Sequence, residues 1–190
     1  MRKKHEKKCW LTNIKPKPKK REKDRKRMSQ TQSSYEIDVM IEIAKHTNIK
    51  YEYDENEKVL VCNRVLHTPF TYIFNYGYVP NTMSPDNDPL DAVVLMEDAL
   101  VPGCKIRCRV LGCLETSDCE GVDPKMILCP CTKVDPTYSG YRDISDVPEH
   151  TLNKIHYFFS HYKDLENKVV KVDGFVGREG AWQIYLDSLC

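Results

Sequence analysis

Residues 35–190 predict a mainly β domain of the α+β kind, a closed or partly closed barrel of short strands with helices laid against it. Three observations carry that prediction. Apolar and polar residues alternate through many short runs, clusters of Pro, Gly and Asp divide those runs, and helical spacing appears only late in the chain.

The elements follow in order. "IDVMIEI" sets Ile37, Val39, Ile41 and Ile43 on one face of a strand. "IKYEYD" and "KVLVC" come next, separated by the turn residues "DENE". "AVVLM", "KIRCRVLGCL", "KMILC" and "KVVKVDGFV" read as further strands. The segment 147–166, "VPEHTLNKIHYFFSHYKDLE", predicts one long helix: Pro148 suits a first turn, and Leu152, Ile155, Phe159 and Tyr162 recur at helical spacing. A second, shorter helix is expected in "GAWQIYLDSL". No internal repeat is visible.

Charge is segregated along the 190 residues. Residues 1–34 hold 14 Lys/Arg against Glu6, Glu22 and Asp24, a net of +11, while residues 35–190 hold 15 basic and 25 acidic residues, a net of −10. A basic tail thus precedes an acidic domain. The tail is poor in apolar residues and carries Pro16 and Pro18, so residues 1–34 are expected to be disordered. Residues 2–27 read either as a polyanion-binding arm or nuclear-type signal, or as a solvated extension. Met28, followed by "SQTQSSYEID", offers a second starting point for translation.

Composition narrows the class. No apolar run approaches the roughly 20 residues of a membrane span, and the charged N-terminus has no secretory apolar core. Nine cysteines form no CxxC pair and have no zinc-type histidine spacing. They read as reduced, structural thiols, in keeping with a cytoplasmic protein.

"SPDNDPLDAVVL" gathers Asp86, Asp88 and Asp91 at the mouth of a buried strand. A solvated turn explains "DNDP" cheaply. A calcium loop does not: Leu90 stands at its fifth position and Asp91 where glycine is required. Extended backbone would point Asp86 and Asp88 the same way, with Pro89 bending the chain so that Asp91 rejoins them. Three inward carboxylates resist ionisation without cations, and hard oxygen ligands suit Mg2+.

The blocks around that cluster resemble the soluble inorganic pyrophosphatases of family I, whose fold is an OB-type barrel. The resemblance runs from about Val39 to Phe175: "IEI…IKYE", "NYGY…DNDPLD", "PG…IRCR…G", "SDCEGVDPK" and "FFSHYKDLE", in order and without large gaps. It implies an OB-like closed barrel of five to six strands with one long and one short C-terminal helix. It also implies Mg2+-dependent hydrolysis of pyrophosphate to two orthophosphates by a metal-bridged hydroxide, with several Mg2+ ions per site.

Carried over residue by residue, the resemblance makes Asp86, Asp91, Asp118, Asp123 and Glu52 metal ligands and Asp88 the catalytic proton acceptor. Lys50, Arg64, Lys125 and Lys163, with the hydroxyls of Tyr76 and Tyr162, would bind pyrophosphate; Tyr72 and Asn75 would line the site. Each has a plainer reading, such as Lys50 and Glu52 on a solvated strand face or Lys163 paired with Glu166 on a helix surface. The sequence departs from the family pattern at Cys119, where a second acid is usual, at Ala44 in place of Pro, and at Asn63 in place of Asp. The length of the domain resembles compact members that form hexamers rather than dimers. Rival readings are a relative acting on another phosphoanhydride, such as tripolyphosphate, and an OB-barrel nucleic-acid binder that uses the tail.

Overall fold

The alternation of "EIDVMIEI" is realised in β1 (Glu36–Ile43), where every second residue from Ile37 to Ile43 is buried. This is a computed structural model, and it describes residues 35–119 and 121–190. The disordered tail expected over 1–34 lies outside the described residues.

Among them the remaining strands are β2 (Ile49–Asp54), β3 (Val59–Val65), β4 (Asn75–Tyr78), β5 (Asp91–Val94), β6 (Lys105–Asp118), β7 (Gly121–Val122), β8 (Lys125–Pro130) and β9 (Lys171–Gly177). Two α-helices, α1 (Glu149–His161) and α2 (Arg178–Asp187), complete the set. β1 pairs antiparallel with β4, β4 with β5, and β8 with β6, which returns to β1. β5 and β8 run parallel. These five pairings close a ring of five strands, within the five to six that the resemblance implied. β7 and β9 extend from β6, and β2 with β3 forms a separate hairpin.

β5 and β8 are buried on both faces. Val93 and Ile127 belong to one core, with Phe74 and with Phe158 and Phe159 of α1. Ala92, Val94, Met126 and Leu128 belong to a second core with Ile37, Val39, Ile41 and Ala181 of α2. Gly77 is required where β4 crosses β1, because a Cβ there would collide with the Met40 carbonyl.

Two local expectations need correction. The helix expected over 147–166 spans only Glu149–His161. It stops because Lys163 leaves helical geometry, and a 3-10 turn, Asp164–Glu166, follows and closes on left-handed Asn167. Residues 86–88 are not extended either: Asn87 has φ 70°, and the Asp88 N–H donates to Asp86 Oδ1 at 3.1 Å. The turn chemistry of Asp and Asn wins over strand geometry here. β4 was not anticipated as a strand, since "NYGY" is too short to show a period.

Candidate active site

Strand ends and loops at one end of the barrel wall a cavity of about 470 Å3. β2 contributes Lys50 and Glu52, and the β4–β5 loop contributes Asp86 and Asp88. Asp91 opens β5 and Lys125 opens β8; the parallel register sets them directly side by side. Asp118 ends β6, Asp123 precedes β8, and Tyr162 with Lys163 follows α1. Tyr72 and Tyr76 complete the wall from beneath.

The lysines and carboxylates sit in pairs of opposite charge. Lys125 Nζ, only 3% exposed, bridges Asp91 Oδ2 and Asp123 Oδ2. Lys163 Nζ donates to Asp118 Oδ2 at 2.9 Å rather than to Glu166. Lys50 Nζ donates to Glu52 Oε1 at 2.6 Å. Two expected site residues, Arg64 and Asn75, lie off the wall: Arg64 Nε pairs with Glu166 at 3.1 Å, and its NH1 donates to Asn63, which donates to Glu52 at 2.7 Å. Asn75 is fully buried and does not line the cavity; its Oδ1 accepts from Lys45 N–H and Leu100 N–H, which braces the base of β4.

Enclosure reshapes the proton affinities. Burial raises Asp123 to about 6, the nearby Lys125 only partly offsetting it. Burial, then repulsion from Asp86 and Asp91, raises Asp88. Burial would also raise Asp91, but the Lys125 charge and hydrogen bonds from Lys125 and Tyr76 outweigh it and hold Asp91 below the usual range. Lys125 is driven up despite its burial, because two carboxylates face it. A site with more acids than bases, in which burial raises the proton affinity of Asp123 and Asp88, is chemically fitted to receive cations. Among the described residues no three metal-binding side chains converge into a ready-made cation cage, because lysines stand between the acids.

Sequence reading missed Glu42, Tyr53 and Tyr78, which line the same cavity. Burial raises Glu42 to about 7, and its Oε1 accepts from the Tyr53 N–H at 2.7 Å. Glu42 falls on the polar phase of β1, where sequence alone cannot separate a cavity acid from a solvated one.

Comparison with known proteins agrees with the geometry. The family model described as "Inorganic pyrophosphatase" matches residues 39–189. The chain belongs to the inorganic pyrophosphatase family. The pyrophosphatase of Helicobacter pylori is 48% identical over 147 residues, spanning 77% of this chain and 85% of that protein. That of Saccharolobus solfataricus is 49% identical over 140 residues, spanning 73% and 81%. A solved H. pylori pyrophosphatase structure superposes with a TM-score of 0.80 at 45% identity, covering 83% of this chain and 93% of that one. The Thermus thermophilus pyrophosphatase gives 0.76 at 35% identity, covering 80% and 88%. As a pyrophosphatase the chain is a hydrolase of pyrophosphate. Among the described residues no helix is long and apolar enough to cross a membrane.

Proposed function

We propose that this pyrophosphatase is magnesium-dependent and that Asp88 accepts the proton of the attacking water. The observation that carries the reading is the set of three lysine–carboxylate clusters meeting in one cavity. Mg2+ ions held by Asp86, Asp91, Asp118, Asp123 and Glu52 would supply positive charge at the phosphate oxygens and lower the pKa of the water.

The chain's own groups do the rest. Lys50, Lys125 and Lys163, each paired with a carboxylate, would turn toward pyrophosphate oxygens once those carboxylates held cations. Tyr76 and Tyr162 supply hydroxyl donors, and Arg64 reaches the substrate by exchanging its Glu166 partner. Among the described residues Asp88 forms no ion pair with a lysine, and burial raises its pKa, so it is suited to take and pass on a proton. Charge developing on the transferred phosphoryl group then meets pre-oriented cations, which is where most of the rate arises.

The test is phosphate release from pyrophosphate by purified protein. Activity that appears with Mg2+ and vanishes with EDTA supports the reading; equal release in EDTA contradicts it. We further propose cytoplasmic residence, in keeping with the free thiols of the eight described cysteines. We propose a homo-oligomer, a hexamer rather than a dimer, on the compact length of the domain; sedimentation velocity decides it. For the basic tail, residues 2–27, we propose polyanion contact on its charge alone. Heparin retention of the full chain that falls steeply with salt is the expected result, and salt-insensitive retention would refute it.

A further inference from the structure

The wall of the active site has a second side. Behind it lies another cavity, of about 680 Å3, within the range of small-molecule sites. Three of its bounding stretches run straight into assigned metal ligands. Ser84 and Pro85 precede Asp86, Thr116 and Ser117 precede Asp118, and Val122 and Pro124 flank Asp123. Neighbours on extended backbone face opposite ways. The same backbone therefore turns Asp123 into one cavity and Val122 and Pro124 into the other. Among the described residues none lines both.

The dividing wall is thin and hydrogen-bonded. The Asp123 N–H donates to the Thr116 carbonyl at 2.9 Å, and the Thr116 hydroxyl donates back to the Asp123 carbonyl. The Ser84 N–H donates to the Asp88 carbonyl at 2.7 Å. Gly121, at φ 141°, brings the β6–β7 turn against the Asp86 loop: a Cβ there would lie 3.9 Å from Asp86 Cα. An object that pushes Ser84 and Pro85 away from Thr116 and Pro124 must change the spacing between Asp86 and the Asp118–Asp123 pair.

The lining says what such an object is. Met83, Pro85, Val122, Pro124 and Ile184 make most of the surface apolar, and Met83 and Val122 are half exposed. Around them stand Glu115, Asp173 and Asp187 against a single lysine, Lys171, already paired with Asp173 at 2.5 Å. The acid excess repels phosphate and favours a positive group carried on an apolar body.

We propose that this cavity binds a small organic cation with an apolar body, and that its occupancy alters divalent-metal binding through the Asp86, Asp118 and Asp123 segments; the second half rests on the metal assignments made above. Phenethylamine is a minimal probe, with phenethyl alcohol and hydrocinnamate as its neutral and anionic counterparts. Each is titrated calorimetrically into the full chain, and Mg2+ is then titrated with and without saturating amine. Phenethylamine should bind in about the millimolar range, with hydrocinnamate at least about tenfold weaker. Met83→Trp, which fills the mouth, and the exposed double change Glu115→Lys/Asp173→Lys should each weaken the amine about tenfold. The Mg2+ Kd should shift at least about fivefold with amine bound.

Amine binding that survives both variants, hydrocinnamate binding as tightly as the amine, or no amine binding at about 10 mM would overturn the site. An unchanged Mg2+ isotherm overturns the coupling. Amine binding in a protein that takes up no Mg2+ supports the cavity assignment, and overturns the metal assignments and the coupling with them.

Discussion

Two buried cations on neighbouring strands of the same barrel are held in opposite ways. Arg109 of β6 is 5% exposed, and its guanidinium donates to the carbonyls of Tyr141 at 2.7 Å and Tyr138 at 2.5 Å. It meets no carboxylate in those bonds. Lys125 of β8 is 3% exposed and is held by two carboxylates. Carbonyl partners are fixed dipoles of the fold, so Arg109 pins the loop carrying Tyr138 and Tyr141. Carboxylate partners are charges that another cation can take, so Lys125 belongs to an exchangeable set. Burial alone does not separate the two cations; the chemistry of their acceptors does.

The sharpest way to break this contrast acts on the exchangeable set. Asp88→Asn should lower kcat for pyrophosphate by at least about 100-fold, the scale of a lost proton acceptor, with its thermal melt unchanged. A tenfold loss or less would remove Asp88 from the proton path. Lys163→Met deletes a cation but leaves its neighbours, and should lower kcat/KM about tenfold or more, as for a lost charged hydrogen bond. Wild-type kinetics in that variant would mean the Asp118 pair is only structural.

A smaller effect is one of stability. Burial raises Glu42 to about 7, so the folded protein binds this proton more tightly than the unfolded chain does. The stability it lends is full below about pH 4.5 and is lost as pH rises through 7. Glu42→Gln keeps an acceptor for the Tyr53 N–H without the charge. In EDTA the variant should match wild type at pH 4.5 and exceed it by about 1–2 kcal/mol at pH 8. Urea melts at both values check this; a difference that does not vary with pH would sink it.

Much of the exchangeable set was legible in the sequence, because its members lie at strand ends where short motifs carry them. "DNDPLD" and "VDPK" supply Asp86, Asp88, Asp91, Asp123 and Lys125 in two stretches. What was not legible depends on packing between distant segments. Arg64 turns to Glu166, 102 positions away, and Glu42 becomes a cavity acid only because β1 passes beneath the β2–β3 hairpin. The role of Arg109 was equally hidden: "IRCR" gives no sign that two carbonyls some 30 residues later will hold its side chain. The helix end at His161 was missed because 3–4 spacing continues through Tyr162 while Lys163 is drawn to Asp118.

The most direct measurement compares Lys125→Met with Arg109→Met, each assayed for Mg2+-supported phosphate release and for urea stability. Lys125→Met should lose activity by about 100-fold or more, as when a preoriented charge is removed, and still fold. Arg109→Met should lose about 2–4 kcal/mol of stability, from unpaired carbonyls and lost packing, with kcat within about threefold of wild type. Equal activity losses in the two variants, or an active Lys125→Met, would contradict the division between fixed and exchangeable charge.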